Sequence, residues 1–281
     1  MRTGFASTAR RTVAVLSLAS VAACASASSV TVQQEQALGA DYSRQINAEL
    51  PILRDAASND FINDMGRRIA RVADPRGIPY TFYIVNSDVV NAFAVPGGYV
   101  YVNRGLVERA GTANELAGVL AHEIGHVVER HSIQQMAKAQ NANNLVGVLG
   151  TVLLGRASPT VQQGAGVLVQ GVGTAVFAGY SRNDERQADH DGVIFSTRAG
   201  YNPQGMVTMF QRLLSENSSR PGTLTQYFST HPLTQERIAN VQAQINATPE
   251  ARASTLRTDT REFQAFRARV RTITPIPSDR K

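Results

Sequence analysis

The two histidines His122 and His126 constrain this chain more than any other feature of its sequence. Apolar residues recur over residues 116–128 with the spacing of a buried helix, and Thr112 and Glu115 predict a capping box at its start. On such a helix two side chains four residues apart leave the same face. The pattern therefore predicts two ligands of one zinc ion on a core helix, which we expect to continue to about residue 139.

Glu123 lies about 100° further round the same helix, where its carboxylate reaches a water on the metal without binding the metal. Zinc lowers the pKa of its water toward ~7, and a nearby carboxylate takes the proton as hydroxide attacks a carbonyl. The alternative is that both histidines are simply packed or solvated on a core helix. The chain has five histidines in 281 residues, and the placement of two of them here favours one catalytic Zn²⁺ per chain.

A catalytic zinc needs a third protein ligand and an open position. The metzincin pattern would place glycine at position 129 and histidine at position 132. Glu129 and Ser132 stand there instead, and His131 is out of register. The other common solution is a glutamate on a downstream helix.

Residues 181–199 predict such a helix, which carries two acidic residues on one face. We expect Glu185 to be the third ligand and Asp189 to accept the N–H of His122, fixing the tautomer of that ring. The alternative is a solvated acidic face. His190 is a rival ligand, but helix geometry turns it about 100° away from Asp189.

Residues 1–23 predict an export signal rather than a part of the folded domain. Arg2, Arg10 and Arg11 precede an apolar run over residues 12–23, and no acidic residue occurs before Glu35. This pattern is typical of a secretory signal peptide and is too short for a membrane span; an anchor helix is the alternative. Removing residues 1–23 lowers the formal charge from +6 to +3. Since no basic tract with interleaved aromatics occurs either, we expect no nucleic acid partner.

The apolar run ends in V-A-A-C at Cys24, which resembles a bacterial lipobox. We expect lipidation at Cys24, residues 24–32 as a tether, and one domain over residues 24–281. Cys24 is the single cysteine, so a disulfide within the chain is excluded. The alternative is ordinary signal peptidase cleavage at a small residue such as Ala25 or Ala27. Alanine rather than aspartate after the cysteine favours the inner leaflet of the outer membrane.

Three segments before the first histidine, residues 80–85, 91–95 and 99–102, have the composition of strands. A P-G-G turn joins the last two as a hairpin. We predict a mainly helical α+β fold with a small antiparallel sheet. One strand can act as an exposed edge that pairs an extended peptide substrate through backbone hydrogen bonds, or can simply fill half of the core. That strand consists of Asn91, Ala92, Phe93, Ala94 and Val95.

Two glycine-studded apolar pieces follow the histidine helix, at residues 145–155 and 161–177. We expect a helical hairpin packed by small residues, or else a lid or membrane-leaning surface above the site. Residues 274–281 contain two prolines and predict a frayed tail.

Four motifs in order carry a resemblance that runs from about residue 34 to residue 245. H-E-x-x-H is followed by S-R-x-x-E-x-x-A-D, preceded by N-A-F-A-x-P-G-G, and followed by H-P-x-x-x-x-R. This set resembles the HtpX/BepA/LoiP-like gluzincin zinc metallopeptidases, to which the prenyl-protein CAAX endopeptidases are distantly related. The chain lacks the long membrane helices of HtpX-like members and the C-terminal helical repeats of BepA-like members, so we expect the short lipoprotein type.

The resemblance implies a zincin-like fold with the same three ligands and the same general base, and places residues 91–95 beside the substrate cleft. It also implies that His231 lies near the metal, where it stabilises the oxyanion or occupies the open position in a resting state. The alternative for His231 is a plain helix-entry residue before Pro232.

The function predicted in this way is a zinc endopeptidase of the bacterial periplasm, lipid-anchored at the outer membrane. Its expected substrates are unfolded or misassembled envelope proteins, and this quality-control role rests on the resemblance alone. The alternative is an envelope chaperone or assembly factor whose zinc site is largely closed and whose protease activity is secondary.

Overall fold

The computed structural model describes residues 30–143, 179–219 and 224–274. The predicted signal peptide, Cys24 with most of its tether, the glycine-studded pieces and nearly all of the predicted tail lie outside these residues. Helices dominate the described chain, and the predicted mainly helical class is confirmed. No helix in these three ranges combines the length and the apolarity needed to cross a membrane.

The elements follow in the order α1 (Val32–Glu49), α2 (Ala56–Ala73), β1 (Thr81–Val85), β2 (Ala92–Val95), β3 (Tyr99–Asn103), α3 (Arg104–Arg109), α4 (Ala113–Val128) and α5 (His131–Asn143). After the first gap come α6 (Arg182–Arg198) and α7 (Gln204–Ser219), and after the second α8 (Thr225–Thr230), α9 (Gln235–Ala247), a 3-10 turn (Pro249–Arg252) and α10 (Arg261–Thr272).

The sheet has three strands in the order β1-β3-β2 and is mixed. The hairpin between β2 and β3 is confirmed, and Gly97 and Gly98 make its turn with φ values of 77° and 89°, which favour glycine. The predicted antiparallel sheet is wrong for β1, which pairs parallel with β3. The hairpin makes β2 antiparallel to β3, and β3 lies between β2 and β1 and runs in the same direction as β1.

Helix α4 is the centre of the fold, and every residue from Ala113 to Val127 is buried. It packs against α2, α6, α7 and β2. A Cβ atom at Gly125 would lie 3.1 Å from the Cα atom of Ala188, so glycine at this position lets the backbones of α4 and α6 approach closely. This contact brings the acidic face of α6 beside the two histidines of α4.

The predicted continuation of the histidine helix to residue 139 is wrong. Helix α4 ends at Val128, and α5 begins as a separate helix at His131. Between them Arg130 has a φ of 58°, a left-handed backbone conformation that is uncommon for residues other than glycine. Its side chain donates to a carboxylate oxygen of Glu35 (2.9 Å) and to the carbonyl of Val30 (2.6 Å), and these bonds stabilise the turn.

The predicted capping box at the start of α4 is also wrong. Thr112 occupies the N-cap position, but its side chain makes no capping hydrogen bond and instead donates to the Oδ1 atom of Asn114 (2.7 Å). Glu115 accepts from the backbone N–H of Gly111 (2.5 Å), one residue earlier than the box requires. Helix α4 therefore begins at the predicted place with a different set of contacts.

Candidate metal centre

Four buried side chains from three parts of the fold meet beside α4. His122 and His126 come from α4, Glu185 comes from the first turn of α6, and His231 follows α8. One nitrogen or oxygen atom from each lies within 4.8 Å of those of the other three. The structure therefore brings together the three predicted ligands and the histidine that was expected near them.

A capping box at the N-terminus of α6 explains why Glu185 lies in the first turn of this helix. Ser181 and Asp184 form a capping box in which each side chain accepts the backbone N–H of the other, at 3.2 and 3.0 Å. The box starts the helix at Arg182, so Glu185 lies in its first turn, and the close contact of Gly125 with Ala188 holds α6 against α4.

The distances between the four groups suit a tetrahedral metal ion. The Nε2 atoms of His122 and His126 are 3.1 Å apart, and each lies 3.5 Å from an oxygen of Glu185. The Nδ1 atom of His231 lies 3.4 Å from His122 Nε2. Ligand atoms about 2.0–2.1 Å from a tetrahedral zinc ion are themselves roughly 3.3 Å apart. Imidazole nitrogens with a carboxylate oxygen are also a donor set typical of zinc, so these residues fit the ion.

The electrostatics of the cluster favour one positive charge within it. Burial opposes the charged form of His122, but the carboxylates of Asp189 and Glu185 outweigh it and raise the pKa of this ring to about 10. Burial, together with the charge of His122, holds the pKa of His126 well below its usual value. Burial also opposes the charge of Glu185, yet His231 and His122 lower the pKa of its carboxyl well below the usual value. These surroundings stabilise a cation, whether a proton or a metal ion.

Glu123 lies beside the cluster as a buried carboxyl group. Neither of its side-chain oxygens has a hydrogen-bond partner among the described residues, and the Nε2 atom of His231 is 3.5 Å from Oε1. Burial raises the pKa of the carboxyl. A buried carboxyl without a partner is rare in proteins and needs a reason. A position next to the water of a metal site supplies one.

Asp189 lies beside His122, with its Oδ1 atom 3.0 Å from His122 Nδ1. Arg237, in the first turn of α9, donates twice to Asp189, at 2.7 and 2.8 Å. The same guanidinium lies 2.6 Å from Oε2 of Glu185. Sequence reasoning missed this role, although Arg237 is the last residue of the H-P-x-x-x-x-R motif and the motif was the available signal.

The two remaining histidines have different surroundings. His190 is exposed on α6 and lies outside the cluster, so the rival ligand is not brought to the site. His131 is buried and its Nδ1 atom lies 2.9 Å from Nδ1 of His126. Tyr180, just before α6, stacks on the ring of His126 with centroids 3.8 Å apart. Neither Tyr180 nor a contact of His131 with His126 was predicted from the sequence.

The predicted substrate strand lies at one edge of the sheet and packs against α4. All four residues of β2 are buried, which favours the alternative that this strand fills part of the core. Phe93 stacks on Tyr101 with centroids 4.8 Å apart, in a cluster that also contacts Met136 of α5. Asn91, immediately before β2, is buried, and neither its side-chain oxygen nor its nitrogen has a partner among the described residues.

Comparison with known proteins places this geometry in a family. Residues 56–245 match the model of peptidase family M48. The beta-barrel assembly-enhancing protease of Escherichia coli (strain K12) is 34% identical over 230 residues, which are 78% of this chain and 45% of that protein. Metalloprotease YcaL of the same strain is 31% identical over 185 residues, 64% of this chain and 70% of that protein. Mitochondrial metalloendopeptidase OMA1 of Arabidopsis thaliana is 31% identical over 175 residues, 62% of this chain and 33% of that protein.

The chain spans about half the length of the assembly-enhancing proteases that it matches, 45% in the E. coli protein. The matched region contains α4, α6 and residue 231, and so includes all four residues of the buried cluster. The resemblance read from the four sequence motifs is confirmed, and it implies a metal at this cluster. The chain belongs to peptidase family M48.

Proposed function

We propose that this protein is a zinc-dependent endopeptidase of the bacterial envelope. The observation that carries the proposal is the buried donor set of His122, His126 and Glu185 beside the unpartnered carboxyl of Glu123. Nothing in an ordinary protein core explains three such donors together with a second carboxyl group that lacks a hydrogen bond. A hydrolytic metal site explains both.

These three residues would hold a zinc ion, which would supply a Lewis acid to lower the pKa of water and polarise the scissile carbonyl. Glu123 accepts the proton of the attacking water at its carboxylate and returns it to the leaving amine. Asp189 holds the proton of His122 on Nδ1, so that the lone pair of Nε2 points into the cluster. Arg237 fixes both carboxylates from outside through its contacts with Asp189 and Glu185.

For substrate binding we propose the edge of β2, where an extended peptide adds to the sheet through backbone hydrogen bonds. The position of β2 next to α4 supports this role, because a peptide on that edge would pass close to the cluster. Since β2 is buried, its neighbours must separate before a peptide can enter.

His231 is proposed to keep the site closed in a resting state. Its Nδ1 atom lies among the donor atoms, 3.0 Å from Glu185 Oε1, and its Nε2 atom faces Glu123. In this position it competes with water and substrate for the open coordination site. The other role, stabilising the oxyanion, requires the ring to turn away from Glu185 when substrate binds.

The proposed substrates are unfolded or misassembled periplasmic and outer-membrane proteins. The name of the beta-barrel assembly-enhancing protease, 34% identical over 78% of this chain, supports an envelope substrate. We further propose a single metallopeptidase domain over residues 24–281, attached to the inner leaflet of the outer membrane by lipid at Cys24. The lipobox-like sequence and the preceding apolar run support this anchor. Mass spectrometry of the mature N-terminus tests it, and an unmodified terminus after residue 24 contradicts it.

The closed geometry favours a second candidate function. His122, Glu123, His126, Glu185 and His231 are each at most 1% exposed. An envelope chaperone or assembly factor whose proteolysis is secondary would need no open site. The two functions differ in whether client binding or cleavage carries the activity.

The test is digestion of an unfolded outer-membrane β-barrel protein by the full chain and by Glu123→Gln, with zinc measured in both. We expect the variant to keep stoichiometric zinc and the wild-type fold while losing nearly all cleavage, because the group that accepts the proton is gone. His190→Gln, changed at an exposed histidine, is the control and should cleave normally. Wild-type cleavage by Glu123→Gln contradicts the role of Glu123 as the proton acceptor, and absence of cleavage by the full chain contradicts the enzyme proposal. Client protection retained without cleavage supports the chaperone.

A further inference from the structure

His131 has no part in the function proposed above, yet it is buried directly behind one of the metal-facing histidines. It is the first residue of α5 and 1% exposed. Arg130, with its left-handed backbone conformation, lies between α4 and His131. Its Nδ1 atom lies 2.9 Å from Nδ1 of His126.

Two imidazole nitrogens at this distance share one hydrogen bond, so one of them must carry a proton and the other must not. The other nitrogen of His126, Nε2, faces the donor set, 3.1 Å from His122 Nε2 and 3.5 Å from Glu185 Oε1. A metal ligand needs its lone pair at that nitrogen. The proton of a neutral His126 is therefore on Nδ1, and His131 accepts it.

The same reasoning applies to His131, the next residue in this hydrogen-bonded series. If His131 accepts at Nδ1, its own proton is on Nε2. That atom lies 3.1 Å from Oε1 of Gln187, an amide oxygen that can only accept. Asp184 is near the same nitrogen, but at 3.9 Å it is too far for a hydrogen bond. The three side chains form a chain with one direction of donation, from His126 to His131 to Gln187.

We propose that His131 is a positioning residue for the metal centre, which holds His126 in the orientation and tautomer that a ligand requires. The inference rests on the proposed metal site. Gln187 in turn fixes His131 and lies two residues after Glu185, so α6 supplies one ligand and also orients another.

The two histidines of α4 are then held by different chemistry. His122 faces the carboxylate of Asp189, which carries a charge balanced by Arg237. His126 faces a neutral imidazole. A carboxylate partner raises the basicity of a histidine ligand more than a neutral acceptor does. The arrangement makes His126 the weaker metal ligand of the two histidines, while still fixing the orientation of its ring.

The test compares zinc affinity in wild type, His131→Asn and His131→Leu, measured by competition with a chelator. Asparagine offers an oxygen near the position of Nδ1, whereas leucine has a similar volume and no acceptor. We expect the leucine variant to bind zinc about 10–100-fold more weakly, as is usual when a partner of a ligating histidine is lost. The asparagine variant should stay within about threefold of wild type, by the same principle.

Gln187→Met provides an independent variant, because residue 187 is exposed and its replacement leaves the core intact. It should weaken zinc binding in the same direction by a smaller factor. Binding of Co²⁺ gives a second readout: the leucine variant should show an altered visible spectrum, and the asparagine variant the spectrum of wild type. The melting temperatures of the zinc-free proteins report packing alone.

Equal losses of zinc affinity in the leucine and asparagine variants would overturn the proposal and leave His131 a packing residue. Wild-type affinity in the leucine variant would overturn it as well. A wild-type protein that binds no zinc would instead refute the proposed function, so the two failures are distinguishable.

Discussion

Arg237 and Asp189 form a buried pair joined by two hydrogen bonds of 2.7 and 2.8 Å. The pair ties α9 to α6, and Arg237 also donates to the carbonyl of Pro232 (3.0 Å), next to His231. One guanidinium therefore connects the segment that carries His231 to the helix that carries Glu185. Its loss should affect both stability and metal binding.

Replacing Arg237 with leucine should lower the free energy of unfolding of the zinc-free protein by about 3–5 kcal/mol, because two buried carboxylates lose their counter-charge. Arg237→Lys keeps the charge but loses the paired geometry, so it should destabilise less and still weaken zinc binding. Urea denaturation and chelator competition measure the two effects. Unchanged stability in the leucine variant would show that the pair is not a structural tie.

The third ligand is tested by zinc content. Glu185→Ala should lose most of its zinc, because a donor atom is removed from a set of three. Asp189→Asn should bind zinc or cleave substrate about 10–100-fold less well, since Asp189 orients His122 without binding the metal itself. His190→Ala, an exposed histidine on the same helix, is the matched control. Retention of zinc in Glu185→Ala with loss in His190→Ala would refute the ligand assignment.

His231→Ala should raise basal peptidase activity or cause self-cleavage, because the ring that competes for the open position is gone. The measurement is the peptidase rate of variant and wild type at equal zinc occupancy. A fall of about 10²–10³ would instead assign His231 to the oxyanion, whose charge develops only in the transition state. An equal rate would leave His231 a helix-entry residue.

Asp191 gives a prediction for the pH dependence of stability. Burial and the neighbouring carboxylate of Glu129 raise the pKa of Asp191 from 3.8 to about 6. The folded state therefore binds this proton more tightly than the unfolded state, and the stability of the fold decreases as the pH rises from about 4 to about 6. Asp191→Asn removes that loss.

The melting temperature of zinc-free Asp191→Asn should exceed that of wild type by about 2–5 °C at pH 7.5, and the difference should shrink toward zero at pH 4. Calorimetry at both values measures it. Glu129→Gln removes the neighbouring charge and should also raise the melting temperature at pH 7.5, by a smaller amount. A difference that is the same at both pH values would show that Asp191 does not titrate in this range.

Features set by local periodicity could be predicted from the sequence. His122 and His126 lie on one face of a buried helix because the helical repeat alone places residues four apart together. Glu185 could be placed near the start of α6 because the sequence predicted a helix beginning at about residue 181. The hairpin of β2 and β3 followed from the glycine pair at its turn.

The parts that the sequence alone did not decide depend on contacts between distant segments. The parallel pairing of β1 with β3 depends on which strand occupies the centre of the sheet. The break after Val128 depends on Glu35 and Val30, about a hundred residues away along the chain, which hold Arg130 in its left-handed conformation. The roles of Arg237 and His131 follow from hydrogen-bond directions within a buried cluster. The helical spacing of residues specifies which side chains share one face of a helix. Only tertiary packing decides which buried polar groups meet, because each must find a partner among side chains remote in sequence.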